Sequence, residues 1–218
     1  MGAKDWVLMY AEGEIRPILQ AAPASDRDAA RALMPRLYPV HQITPIEDGT
    51  LLEQANPPDH DVYAGCFPGL TVVCTRDAGI DRPSRLHRRF LAEAEGRTVY
   101  LHAMHSVVDW FACAIWADDG TLRRALSLSP DSGIIENIGA PLDFEEPCWA
   151  GLRPVETTGF SGRPYPLPFH PLELAEDALR ALFGFNFEGV YLDNDPDLDN
   201  IVLAGFTVHA VPRLTARS

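Results

Sequence analysis

The chain has 218 residues, 46% of them apolar and 22% charged, which permits a substantial core and excludes extensive disorder. Its net charge is −13, split as −4 over residues 1–109 (11 basic, 15 acidic) and −9 over residues 110–218 (7 basic, 16 acidic). Such a field repels phosphate backbones and anionic lipid, so neither nucleic acid nor membrane is expected as a partner.

In chain order, Trp6–Tyr10 reads as a first strand. It is too short for a secretory core and far below a membrane span, so a cytoplasmic location is expected. Gly2 invites a myristoyl reading, but Trp6 stands where that motif needs Ser or Thr. Ser25 and Asp28 resemble a capping box for a helix over Asp26–Leu37, with Ala30, Leu33, Met34 and Leu37 on one face. Residues 38–61, punctuated by prolines, read mostly as loop with one short strand. Val62–Phe67 and Leu70–Cys74, joined by Pro68-Gly69, read as a hairpin. A second helix is expected from Asp81 and Pro83 to Gly96, with Arg89 and Glu93 paired across one turn.

Thr98–Leu101 begins the next strand. Trp110–Ala117 is apolar at every position, as befits a strand covered on both faces. Asp119-Gly120 turns it back into Leu122–Ser129, where Leu122, Leu126 and Leu128 should share a face opposite Ser127 and Ser129. After Gly133 the pattern is irregular. From Pro171 the best helix of the chain follows, with Leu172, Ala175, Leu179 and Leu182 inward and Glu173, Glu176, Asp177 and Arg180 wet. A last strand spans Ile201–His209. Strands in hairpins with scattered helices predict a single α+β domain, a mixed and mainly antiparallel sheet carrying about three helices.

Chemistry-bearing groups are sparse. Lys4 is the sole lysine and has no glycine loop around it, which excludes Schiff-base and P-loop chemistry. Cys66, Cys74, Cys113 and Cys148 form no C-x-x-C pair and read as reduced thiols; Cys66, at a strand end, is the one candidate nucleophile. His102, His105 and Asp109 lie within eight residues and are types that serve metals or acid–base catalysis, yet His102 and His105 should point to opposite faces of a strand. Glu145, with Glu136, Asn137 and Glu146, falls on loops where a second carboxylate could sit, and His170 is placed to cap the last helix. Asp193, Asp195 and Asp197 alternate like the start of a calcium loop, but Leu198 and Ala204 occupy the positions that need Gly and Glu. Gly159–Arg163 misses the nucleophile elbow by its last residue. No cofactor motif is present, and no cofactor is expected.

Four stretches carry a resemblance: Met1–Lys4 leading to Tyr10-Ala11; Tyr63–Gly69; Trp116–Gly139 with its W-x-x-D-G hairpin; and Pro166–Leu174 running into Ala181–Phe185. On these the chain resembles an actinobacterial family described only as a domain of unknown function, which implies a bacterial cytoplasmic protein and carries over no activity. The expectation is a non-enzymatic binding protein for a protein partner or small-molecule ligand. The alternative is an acid–base or metal-dependent hydrolase with a pocket around His102, His105 and Asp109.

Overall fold

In the computed structural model, which describes residues 4–155, 165–188 and 191–211, nine strands form one open sheet. They are β1 (Lys4–Ala11), β2 (His41–Thr50), β3 (Asp61–Phe67), β4 (Leu70–Thr75), β5 (Thr98–His105), β6 (Trp110–Trp116), β7 (Leu122–Ser129), β8 (Gly133–Ile138) and β9 (Val202–Ala210). Their order is β2-β9-β3-β4-β1-β5-β6-β7-β8, and every pairing among them is antiparallel. The α+β class stands. The expected three helices are in fact six among the described residues: α1 (Ile15–Gln20), α2 (Arg27–Leu37), α3 (Leu51–Gln54), α4 (Arg88–Ala92), α5 (Glu146–Trp149) and α6 (Pro171–Leu182). Only α2 and α6 are long enough for a 3.6-residue period to show; the other four are held by tertiary packing.

The sheet is covered on both faces. Central β1 alternates accordingly: Val7, Met9 and Ala11 join one apolar cluster with α1, α3 and α6, while Trp6, Leu8 and Tyr10 join the other with α2 and α4. The same double burial explains why β6 is apolar at every position.

Several local expectations are corrected. Residues 41–50 form a ten-residue strand despite Pro45, because β2 is an edge strand where a missing N–H is tolerated. The expected helix over 81–96 breaks into a single 3-10 turn at Pro83–Arg85 and the short α4, with Leu86 and His87 extended between them. Arg89 then pairs with Asp77 (2.5 Å) and Glu93 with Arg36 (2.8 Å), rather than with each other. The N-cap of α2 is Asp26, which accepts from the amides of Asp28 and Ala29; Ser25 Oγ instead accepts from the Cys66 amide. The β6–β7 register shifts between Ile115 and Trp116, moving Leu122 to the face opposite Leu126 and Leu128. Gly133–Ile138, expected to be irregular, is the second edge strand. Gly139 follows at φ +83°, where an added Cβ would lie 2.0 Å from the Arg123 carbonyl oxygen, so only glycine fits this close approach. Gly2 and Gly159–Arg163 lie outside the described residues.

Candidate functional site

Helix α6 organises a concavity lined mainly by charged side chains. Its apolar stripe of Leu174, Ala175, Ala178 and Leu179 seats it on the sheet. It is also fastened by a polar contact: His102 of β5 places Nε2 3.0 Å from the Ala175 carbonyl oxygen and Nδ1 2.7 Å from Asp5 Oδ1 of β1. Asp5 and His102 are both fully buried. Both ring nitrogens face acceptors, so both donate and the ring is an imidazolium. Burial opposes that charge, but the Asp5 carboxylate, its hydrogen bond, the Ala175 carbonyl and Glu176 outweigh it and raise the pKa of His102. Phe111 and Phe183 close around the ring. His102 therefore holds α6 on the sheet and has no access to a substrate.

Above this pair, the outer side of α6 lines a groove of about 490 Å³ with His170, Glu173, Glu176 and Asp177, joined by Arg153, Asn186 and Glu188. Arg153 is paired with Asp177. Glu176 is the unusual member. Burial pushes its carboxyl up to about 7, opposed by His102 and by hydrogen bonding from the Glu188 and Phe187 backbone, and reinforced by Asp5. Its Oε2 is buried with no hydrogen-bond partner among the described residues, and so is Asn186 Oδ1. Two residues that line one groove thus each carry a buried, unpaired acceptor just beneath its surface, and such groups in a native fold call for an explanation. A carboxylate poised near neutrality in a cleft is a functional-site signature.

At the groove's end, His170 caps α6 through Nδ1, which accepts from the Leu172 amide at 3.3 Å. Its proton therefore sits on Nε2, 3.7 Å from Asp109 Oδ2. Tyr165 stacks on the imidazole with ring centroids 5.8 Å apart. Asp109 reaches this point because the β5–β6 turn takes it to φ +47°, a left-handed conformation that Asp tolerates.

The three grouped candidates do not converge. His102 faces the α6 side, and His105, three residues along the same strand, faces the other side beside Trp6 and Trp110. Asp109 meets His170, a residue the sequence marks only as a cap. Glu145 is fully buried and taken up by Arg124 in a bidentate pair, with further bonds from the Leu142 amide and Trp149 Nε1. Glu136 accepts from the amide and hydroxyl of Ser84. Of the acidic alternation, Asp195 pairs with Arg180 and Arg16, Asp197 caps a 3-10 turn, and Asp193 is exposed. Among the described residues no group of three or more His, Cys, Asp and Glu is arranged to hold a metal.

Cys66 is partly exposed, and burial raises its thiol pKa. Iodoacetamide is accordingly expected to alkylate it more slowly than free cysteine at pH 7.5, read by mass spectrometry; faster, selective labelling would reverse that assignment.

Sequence reasoning missed Glu176, Asn186, Asp5 and Arg124. Glu176 fits a wet-face pattern perfectly well, and only the packing around α6 desolvates it. A weak signal existed for Asp5, which precedes an unbroken apolar run from Trp6 to Ala11 in its strand; Arg124, beside Arg123 in a strand that also holds Ser127 and Ser129, gave none.

The molecule is thus an α+β protein built on one antiparallel sheet, with an acidic groove along α6 in which the Glu176 carboxyl is desolvated. A model of the family of unknown function DUF6928 matches residues 5–206, and the chain belongs to that family. No curated protein and no solved structure matches it. No helix among the described residues is long and apolar enough to cross a membrane.

Proposed function

We propose that this chain is a binding protein that takes an ammonium or guanidinium group of a small molecule in the α6 groove. The observation that carries the reading is the pair of buried, unpartnered acceptors, Glu176 Oε2 and Asn186 Oδ1, in one concavity. A cation with several N–H donors satisfies both and supplies the charge that Glu176, Glu173 and Glu188 call for. The groove's volume, about 490 Å³, falls within the usual range for small ligands. A hydrolase centred on His102, His105 and Asp109 loses its support, because those side chains share no pocket.

The pH dependence follows from the raised carboxyl of Glu176. Cation binding needs the ionised form, so affinity should climb as pH rises through about 7 and level off above it. In calorimetric titrations with methylguanidinium and propylammonium, Glu176→Gln should weaken binding about tenfold or more at pH 8 and remove the pH dependence. Stability should move the other way. The folded state keeps a proton the unfolded chain releases, so this group's contribution falls as pH rises from about 4.5 to about 7. Glu176→Gln should therefore stabilise the protein at pH 8 by about 1 kcal/mol, allowing for solvent in the groove, and by nothing at pH 4. Absence of saturable cation binding at pH 8, or binding unchanged in Glu176→Gln, would overturn the proposal.

A further inference from the structure

A second concavity lies on the opposite face of the sheet, where the ends of β1, β5, β6 and β7 meet. Its volume is about 310 Å³, near the lower end of the range for ligand pockets. The walls are aromatic. Trp6 and Trp110 stand with ring centroids 5.8 Å apart, and His105 lies 6.1 Å from Trp6. Gly79 closes one side, since a Cβ there would sit 2.6 Å from the Trp6 ring. Val108, 48% exposed, forms the lip.

The polar groups of this pocket are unfinished. Trp6 Nε1 donates to Asn56, but Trp110 Nε1 is buried with no hydrogen-bond partner among the described residues, although Trp110 is only 8% exposed. His105 Nδ1 is in the same position. An indole N–H withheld from water and left unpaired is costly, and it sits where a ligand would supply the acceptor. Burial, with Lys4 and Arg76 nearby, lowers the pKa of His105, so the imidazole beside Trp110 is neutral and can accept or donate. The Trp6–Trp110 side of the slot offers one fixed donor and one adaptable nitrogen, while Asp81, Asp131, Ser129 and Ser132 complete the lining; the two carboxylates disfavour an anion, and a neutral ring can supply the acceptor that the indole N–H lacks.

We propose that this pocket binds a flat, uncharged heteroaromatic molecule of one or two rings, packed against Trp110 beside Trp6, whose ring already carries the Arg76 guanidinium at 4.5 Å, with a ring acceptor on the Trp110 indole N–H and its opposite edge toward His105. The site is separate from the α6 groove and stands or falls independently of it.

Benzimidazole, titrated at pH 8 into nitrogen-15-labelled protein, tests the assignment through the Trp110 indole N–H resonance. A saturable downfield shift is expected. Indene, which matches its outline but offers no acceptor, should bind about tenfold more weakly. Trp110→Phe keeps a ring and removes the donor; read from the backbone amide resonances of Val108 and Gly79, which line the same pocket, it should bring benzimidazole down to the level of indene. Val108→Arg changes only the exposed lip, keeping the test open if Trp110→Phe does not fold, and should abolish binding of both probes. No saturable shift with benzimidazole, equal affinity for indene, or affinity unchanged in Val108→Arg would each overturn the proposal.

Discussion

Replacing Glu145 with alanine is expected to cost about 3–5 kcal/mol of folding stability. The reason is the guanidinium it leaves behind. Arg124 and Glu145 are both fully buried, and their two contacts, Nε–Oε1 at 2.8 Å and Nη2–Oε2 at 2.6 Å, make a parallel fork. The remaining nitrogen of Arg124 donates to Asn137 Oδ1 (2.7 Å) and to the Ile138 carbonyl (2.9 Å), so the charge is satisfied only as a set. Without Glu145 the cation stays buried and unpaired, and Trp149 Nε1 and the Leu142 amide lose their acceptor. For a domain of ordinary stability, roughly 5–15 kcal/mol, the loss is large. Urea unfolding measures it. The double substitution Arg124→Met with Glu145→Leu should recover much of the deficit, because what costs most is a broken pair rather than the absence of one. A Glu145→Ala midpoint equal to that of the parent chain would show that water reaches Arg124 and that the network is not what holds β7, β8 and α5 together.

The second large effect is expected at Asp5. Asp5→Ala strips the counter-charge from a fully buried imidazolium and should cost about 3 kcal/mol or more at pH 6. The sign of its pH dependence can be worked out. The folded-state pKa of His102 is raised above the unfolded value of about 6.5, so the folded chain holds the proton more tightly. The stabilisation is fully present below pH 6.5 and is lost as pH rises through the raised value. The gap between the parent chain and Asp5→Ala should therefore narrow from pH 6 to alkaline pH. Glu176 is coupled electrostatically to both Asp5 and His102, so the comparison belongs in the Glu176→Gln background, where that coupling is removed. Denaturant unfolding at pH 6 and pH 9 reads the difference. A gap that is constant or widens with pH would mean that His102 is neutral in the fold.

Much of the fold was legible where local chemistry alone decides it. Asp119-Gly120 and Pro68-Gly69 marked hairpins because few dipeptides take those turns. The length of apolar β6 marked a strand covered twice, and the Pro171 start and Leu/Ala stripe marked α6. Helices of four to six residues carry no such period, and the ten-residue β2 hides behind its proline because nothing in its own sequence says that it lies at an edge. The insertion of the last strand, β9, between β2 and β3 is equally silent, since partner choice between strands is settled by the whole sheet.

The candidate site divides along the same line. By itself the sequence determined where most of the strands and the two long helices run, β2 and β8 excepted, and that His102 and His105 face opposite ways, since side chains alternate along any strand. Only the tertiary structure decided that Asp109 meets His170, that Asp5 and Ala175 trap His102 as an imidazolium, and that Glu176 loses enough water to titrate near pH 7. Those outcomes depend on desolvation and on contacts between residues far apart in the chain, Asp5 and His102 being separated by 97 positions. Neither burial nor long-range proximity is written in the identity of a residue or in its spacing from its neighbours.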